Sequence, residues 1–358
     1  MSARLLGSVA IWCVALWLLP GQSLAVTDDM EQDLWTFVDT NAEYDGTAEA
    51  GYSTADCTSP TRSIRLSLSG GGTEGHDGDT IYATRTFAAN GEDQFLQLMY
   101  NVAQQTDGDS WGGQHGAADV VVTVYDADGV PLGTCIYRLA CSDLHESEYW
   151  YEHMGGDAGS PCHQAGVIYI GTPDEGGEYE PGPAWRTLNV VLSRDIAVDW
   201  ANVASVEVKL VLGSCFMHLD TFEVFFDDLA ITPVPANVLI HPDTLNVKSG
   251  GRWITAYINL PEGFDVDDID VATVALDGIP AVRGNVEDEG ILMVKFERAA
   301  VAALIEASNP KLPVDVTLTV TGLVGGVPFE GSDTIRVIGP GKTPVPPPKS
   351  AKVAARRK

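Results

Sequence analysis

SVEVKLVLGSCFMHLDTFEVFFDDLAIT, residues 205–232, decides the fold class. It predicts two neighbouring strands, Val206–Leu212 and Phe222–Ile231. Val206, Val208, Leu210 and Leu212 share one face of the first, with Glu207, Lys209 and Val211 on the other, the period of two that a half-buried strand requires. The second closes on paired carboxylates, Asp227 and Asp228, before Leu229, Ala230 and Ile231. An acidic pair ending an apolar strand needs a positive or hydrogen-bonding group to meet it.

Outward from this pair, nearly every periodic segment reads as strand. Ser63–Ser69, Thr80–Phe87, Gln94–Val102, Val120–Tyr125, Gly166–Gly171 and Thr187–Leu192 are further expected strands, separated by turn-rich runs such as AANGED and DADG. In Asp126-Ala127-Asp128-Gly129 the glycine is free to take positive φ at a hairpin. Strands without intervening helical pattern point to an all-β sandwich. At Pro233-Val234-Pro235 two residues without a backbone donor take the chain out of the sheet. Beyond lie Val238–Ile240, Arg252–Leu260, Val271–Leu276, Leu292–Phe296, Asp315–Thr321 and Asp333–Ile338, spaced as in a small Ig-like sandwich. Ala299–Ala307 is the one convincing helical segment, and Pro310 and Pro313 bar its extension.

The ending FEVFFDDLAIT resembles the last strand of galactose-binding-like jelly rolls, the fold of many secreted carbohydrate-binding modules. The second module resembles a recurrent Ig-like domain of secreted multidomain microbial proteins at IHPDTLNVKSGGRWITAYINLPEGFDVDDIDVATVAL, LMVKFERAAVAALI and FEGSDTIRVI. That resemblance implies a sandwich accompanying other domains and no activity of its own. The expected organisation is a signal peptide over residues 1–25, a galactose-binding-like jelly roll over 26–233, an Ig-like sandwich over 236–339, and a disordered Pro-rich basic tail over 340–358.

The first resemblance implies a structural Ca²⁺ between the first and last strands. Asp228 is its expected last-strand ligand, with Asp227 the second choice and Glu43 or Asp45 supplying the other side. Calcium takes about six to eight oxygens at about 2.3–2.6 Å. In the second module, Asn285, Glu287, Glu289 and Gly290 keep the spacing of a DxDxDG turn with lengthened acids, and an acidic turn without metal is the expected outcome. Sugar rings stack on aromatic planes, so Trp111, Tyr149, Trp150 and Tyr151, in the turn-rich segments DSWGGQH and EYWYEH, are the candidate ligand-binding residues. A core role for these aromatics is the competing reading.

At the front, Arg4, the apolar run Leu5–Leu19 and the small residues before Val26 form a secretory leader. The run falls short of the roughly 20 residues of a spanning helix, so the mature chain is expected outside the cell or at its surface, with no transmembrane helix. Residues 26–340 hold all 50 acids and 14 of the 21 Lys and Arg, 14 − 50 = −36. Such a body excludes nucleic acid as a partner, since phosphate binding needs basic surface. The six cations of the tail suit disorder or tethering to an acidic polymer.

Cys13 leaves with the leader; Cys57, Cys135, Cys141, Cys162 and Cys215 remain. Export permits disulfides, and Cys141–Cys162 is the expected staple of a turn-rich segment from Cys135 to His163. The histidines there, His145, His153 and His163, make zinc conceivable, but no ligand-pair spacing supports it. No GxSxG, HExxH, Walker or dinucleotide fingerprint appears. The expected function is non-catalytic binding of a glycan or cell-surface polymer through jelly-roll loops. The alternatives are a structural or adhesion protein without a small-ligand site, and an exported jelly-roll hydrolase.

Overall fold

The computed structural model describes residues 26–39, 47–70, 79–105, 115–143, 166–170, 182–215, 219–287, 290–308 and 311–339. The leader and the basic tail lie outside them. The fold is all-β and divides into two compact units, one ending at Pro233 and one beginning at Val234.

In the first unit the strands are β1 (Val26–Asp28), β2 (Thr36–Asp39), β3 (Thr47–Ser53), β4 (Ser63–Gly70), β5 (Asp79–Ala88), β6 (Phe95–Gln105), β7 (His115–Tyr125), β8 (Pro131–Asp143), β9 (Val167–Tyr169), β10 (Arg186–Val191), β11 (Ser205–Cys215) and β12 (Leu219–Thr232). One six-stranded sheet runs β10-β6-β12-β4-β3, with β1 also on β12; the other runs β2-β5-β11-β7-β8-β9. The chain passes repeatedly from one sheet to the other, giving the jelly-roll sandwich expected from the sequence.

The alternation of apolar residues sets the packing. Val206, Val208, Leu210 and Leu212 of β11, Val120, Val122 and Val124 of β7, Leu66 and Leu68 of β4, and Leu96 and Leu98 of β6 are all fully buried in one core. Each such side chain contributes about 1.5–3 kcal/mol relative to exposure. Two elements differ from expectation. Cys135 and Cys141 stand on β8, a strand of 13 residues, rather than in a turn-rich segment. Its alternation (Cys135, Tyr137 and then Leu139 buried) is broken by a register shift against β7 at Ala118/Asp119, which hides the period. A short helix, α1 (Leu192–Asp195), follows β10.

The end of β12 is the other irregularity. Phe222, Val224 and Phe226 point into the core, and so do Leu229 and Ile231: the apolar phase slips by one residue across Asp227-Asp228. The backbone absorbs the slip as a bulge. Asp227 faces Met99 and Ala230 faces Gln97 of β6, so β12 advances three residues while β6 advances two. Asp228 is the extra residue and takes φ +45°, a left-handed conformation that Asp tolerates better than most side chains.

The second unit has β13 (Val234–Pro235), β14 (Asn237–His241), β15 (Thr244–Asn246), β16 (Trp253–Asn259), β17 (Ala275–Leu276), β18 (Ile279–Pro280), β19 (Arg283–Glu287), β20 (Ile291–Glu297), β21 (Val314–Val324), β22 (Val327–Ile338) and the helix α2 (Arg298–Ser308). One sheet runs β13-β22-β21-β17-β18 with β15 on β22, and the other runs β14-β16-β20-β19. Val301 and Ile305, four apart on α2, are both buried, as its period dictates. Pro235 sits on the edge strand β13, where a missing donor costs no ladder bond.

Two sequence expectations are corrected here. Val271–Leu276 is not one strand: Val271–Thr273 is a 3₁₀ turn whose Asp270 side chain accepts from the Ala272 amide, and only Ala275–Leu276 is extended. The cap won over the β-branched alternation. Asp277 and Gly278, at φ +45° and +79°, then make the hairpin turn that Asp-Gly favours. Asn285 and Glu287 belong to β19 rather than to an acidic turn; Glu289 lies outside the described residues.

Candidate functional site

Asp227 is fully buried. Its Oδ2 accepts from the Thr58 amide at 2.7 Å, the Ser59 amide at 2.7 Å and the Thr58 hydroxyl at 3.0 Å, while Oδ1 accepts from the Asp228 amide at 2.9 Å. The donors that a buried carboxylate demands are thus backbone amides of the segment 54–62. Other acids pin the same segment. Glu31 Oε1 accepts from the Thr61 amide at 2.8 Å and the Arg62 amide at 3.0 Å, and the Thr61 hydroxyl meets Oε2. These bonds, the Thr61 hydroxyl foremost, hold the Glu31 carboxyl down at about 2 against a weaker push from burial. Asp56 accepts from Asn101 Nδ2 at 2.7 Å and from Trp185 Nε1 at 3.0 Å, so Trp185 pegs the segment to the sheet. Asp228 stands exposed on the bulge. Its carboxyl is raised by burial and by the charges of Asp227 and Asp29, against the Thr58 hydroxyl bond at 2.9 Å.

For a cation the two aspartates differ. Asp227 Oδ2 is filled by three donors. Asp228, crowded by acids, is the group a cation would relieve. Among the described residues no three His, Cys, Asp or Glu side chains converge on one point. Glu43 and Asp45, the expected partners of Asp228, lie outside those residues.

The second feature is the outer face of the sheet carrying β11. Glu207, Lys209 and Val211 stand opposite Thr86, Thr84 and Tyr82 of β5, and opposite Thr123, Val121 and Asp119 of β7. Thr134, Ile136 and Arg138 of β8 extend the rows. At one corner Arg138 grips Asp119 bidentately, Nε to Oδ1 and Nη2 to Oδ2 both at 2.8 Å. Both side chains are buried although they lie on the outer face. Burial draws the Arg138 guanidinium down, but Asp119, with a further bond to Tyr169, more than offsets it and the group stays charged. A buried pair of this kind fixes geometry more than it adds stability. Across the sheet, Lys209 Nζ lies 5.5 Å from the Tyr82 ring centroid. Glu207 accepts from Tyr125 at 2.9 Å and from Thr84 at 3.2 Å, and the Thr123 and Thr134 hydroxyls are 3.0 Å apart. This face therefore carries fixed donors and acceptors beside an aromatic ring.

Inside the core, Tyr137 donates to Asp195 at 2.8 Å, and Cys135 bonds Tyr137. Burial, with a smaller contribution from Asp195, pushes the Cys135 thiol up to about 11, so at neutral pH it is a thiol and a poor nucleophile.

Of the residues nominated from sequence, Trp111, Tyr149, Trp150, Tyr151 and Cys162 lie outside the described residues. Cys141 is disulfide-bonded, and Cys57 and Cys135 are free thiols. Thr58, Glu31, Asp119 and Arg138 were missed. The phase slip of FEVFFDDLAIT was the available signal for the bulge. An acid and an arginine within the apolar runs AADVVVTVY and CIYRLA were the signal for the buried pair.

No family model and no curated protein matches the chain. Among solved structures it is similar to a family 11 carbohydrate-binding module from Clostridium thermocellum bound to a β-1,3-1,4-mixed-linked tetrasaccharide, at 10% identity over 58% of this chain and 95% of that one, TM-score 0.30. It is also similar to the K1 cleaved adhesin domain of Lys-gingipain from Porphyromonas gingivalis, at 14% identity over 58% and 97%, TM-score 0.27. A third similarity is to the adhesin domain of Epf from Streptococcus pyogenes, at 9% identity over 88% and 95%, TM-score 0.27.

Proposed function

We propose that the chain is an exported, non-catalytic binding protein whose first unit takes a glycan of the cell surface or its surroundings on the outer face of the sheet β2-β5-β11-β7-β8-β9. The observation that carries this reading is the row of Tyr82, Lys209, Glu207, Tyr125, Thr123 and Thr134, held in place by sheet register and by mutual hydrogen bonds. A sugar chain needs a ring to stack on and hydroxyl partners at fixed spacing, and a rigid sheet supplies both without ordering cost on binding. Trp111, Tyr149, Trp150 and Tyr151, which lie outside the described residues, remain the proposed aromatic contacts.

Asp228, with Glu43 or Asp45, is our proposed contact for a stabilising calcium ion. Among the described residues no helix is long and apolar enough to cross a membrane.

The test is a glycan-array screen of the full chain with calcium and with chelator, followed by titration of the best sugar against Lys209→Ala and Trp150→Ala. Saturable binding that weakens about tenfold in Lys209→Ala, the loss of roughly one charged hydrogen bond, supports the proposal. Silence of a folded sample across the array moves the reading to an adhesive or structural role. A calcium-dependent rise in melting temperature that Asp228→Asn removes supports the ion; an identical melt in chelator rejects it.

A further inference from the structure

The outer face of the sheet β14-β16-β20-β19 brings two cations together, flanked along their own strands by Glu287 and Glu297. Arg283 of β19 and Lys295 of β20 are direct cross-strand partners, and Thr255 of β16 lies on the other side of Lys295. Like charges directly opposite one another are unfavourable in a sheet. Here they persist in a chain of net charge −29, where a carboxylate partner is easily had. Yet among the described residues neither makes an ion pair, and nor does Arg252, whereas Lys248 and His241 of the same unit do. The guanidinium carbons of Arg252 and Arg283 lie 4.5 and 5.6 Å from the ring centroid of the half-buried Trp253. Stacking of this kind orients the planar fork and leaves its N–H edge free for an oxyanion. Beside them Arg283, Gly284, Asn285, Met293 and Lys295 line an open depression of about 390 Å³.

We propose that this face of the second unit is a binding site for a carboxylated sugar, an oligo-uronide. The carboxylate sits between Arg283 and Lys295, the Asn285 amide reads a ring hydroxyl, and the ring lies over Met293. The depression has the size of a small-ligand pocket, and its two cations stand within one ring's width of each other. An acidic peptide would bring carboxylates without a ring to fill the space. Glu287 and Glu297, along the same strands, repel carboxylates placed beyond the two cations, and more distant negative charge is screened beyond about 8 Å at physiological salt, so a short oligomer is favoured over a long polyanion. The site is separate from the glycan face proposed on the first unit.

The experiment is calorimetric titration of the full chain with tri-galacturonate at physiological salt, with cellotriose and a tri-glutamate peptide as comparators. Binding of the uronide that is reduced about tenfold or more in the doubly substituted R283Q/K295Q chain with an unchanged melting temperature, while any cellotriose heat is untouched by that double substitution, is the expected result. Lys209→Ala, on the first unit, leaves that binding intact. The inference is overturned if the uronide gives no saturable heat, if R283Q/K295Q binds it as well as the parent, if tri-glutamate binds equally, or if Lys209→Ala abolishes it. None of these outcomes depends on whether the first unit binds a glycan.

Discussion

At the scale of single residues, Asp227 and Asp228 are adjacent acids with opposite roles. Asp227→Ala strands the Thr58 and Ser59 amides and is expected to cost about 3 kcal/mol, read as a fall of about 6–12 °C in the melting temperature of the first unit. Asp228→Asn keeps an acceptor for Thr58 and suits the left-handed backbone, while removing a charge that burial and its acidic neighbours disfavour. In chelator it is expected to raise the melt by about 2 °C; a fall would show that the charge is needed without a cation. Glu31 supplies the pH dependence. Its carboxyl is lowered from 4.5 to about 2, so its stabilisation is complete above 4.5 and is lost as pH falls towards 2. Glu31→Gln should flatten the acid limb of the stability curve in that window, and an unchanged limb refutes the assignment. The acidic pair was legible in the sequence as an anomaly needing a partner. Its partners were not, because Thr58 and Ser59 lie about 170 residues earlier and reach it with backbone amides, which every residue type carries.

At the scale of elements, strands with clean alternation such as β4, β11 and β16 were legible, and β8 was not, because its bulge interrupts the period where Arg138 is buried on the outer face. Cys57 and Cys135 are free, and Cys215 stands on β11, separated from Cys141 on β8 by the whole of β7. Two strand spacings make about 9.5 Å, beyond the roughly 7 Å that a bridge can span. Peptide mapping under non-reducing conditions is therefore expected to find Cys141 joined to Cys162, and a Cys141–Cys215 peptide would contradict the sheet order. In the second unit a Cβ on Gly331 would stand 2.3 Å from the Ala236 carbonyl oxygen and 2.5 Å from Val238 Cγ2. Neither neighbour can withdraw, one being backbone and the other packed under it. Gly331→Ala is expected to cost about 2–3 kcal/mol, measured by denaturant titration; a loss below about 0.5 kcal/mol would mean that β13 and β22 slide apart freely.

At the scale of the whole molecule, composition foretold a strongly acidic chain and strand periodicity an all-β one, and the two units each enclose their own core. Chains ending at Pro233 and beginning at Val234 are accordingly expected to unfold cooperatively on their own, each with a single calorimetric transition. Aggregation of either piece on removal of the other would oppose that independence. What composition concealed is the meeting of two cations, Arg283 and Lys295, without a carboxylate between them. Arg283 and Lys295 are separated in sequence, and only the pairing of β19 with β20 makes them direct partners, while Arg252 stacks on its neighbour Trp253.

The slip at Asp227-Asp228 also bears on how the length of β12 can vary. Because side chains alternate with a period of two, removing one residue outside the Asp227-Asp228 pair, between Phe222 and Ile231, would exchange inside for outside along the rest of the strand. Removing Asp228 would not: Phe226, Leu229 and Ile231 would still face inward, with only the bulge straightened. The strand thus has a parity rule with one licensed exception, and Asp228, the residue offered to a cation, is the one the core does not need.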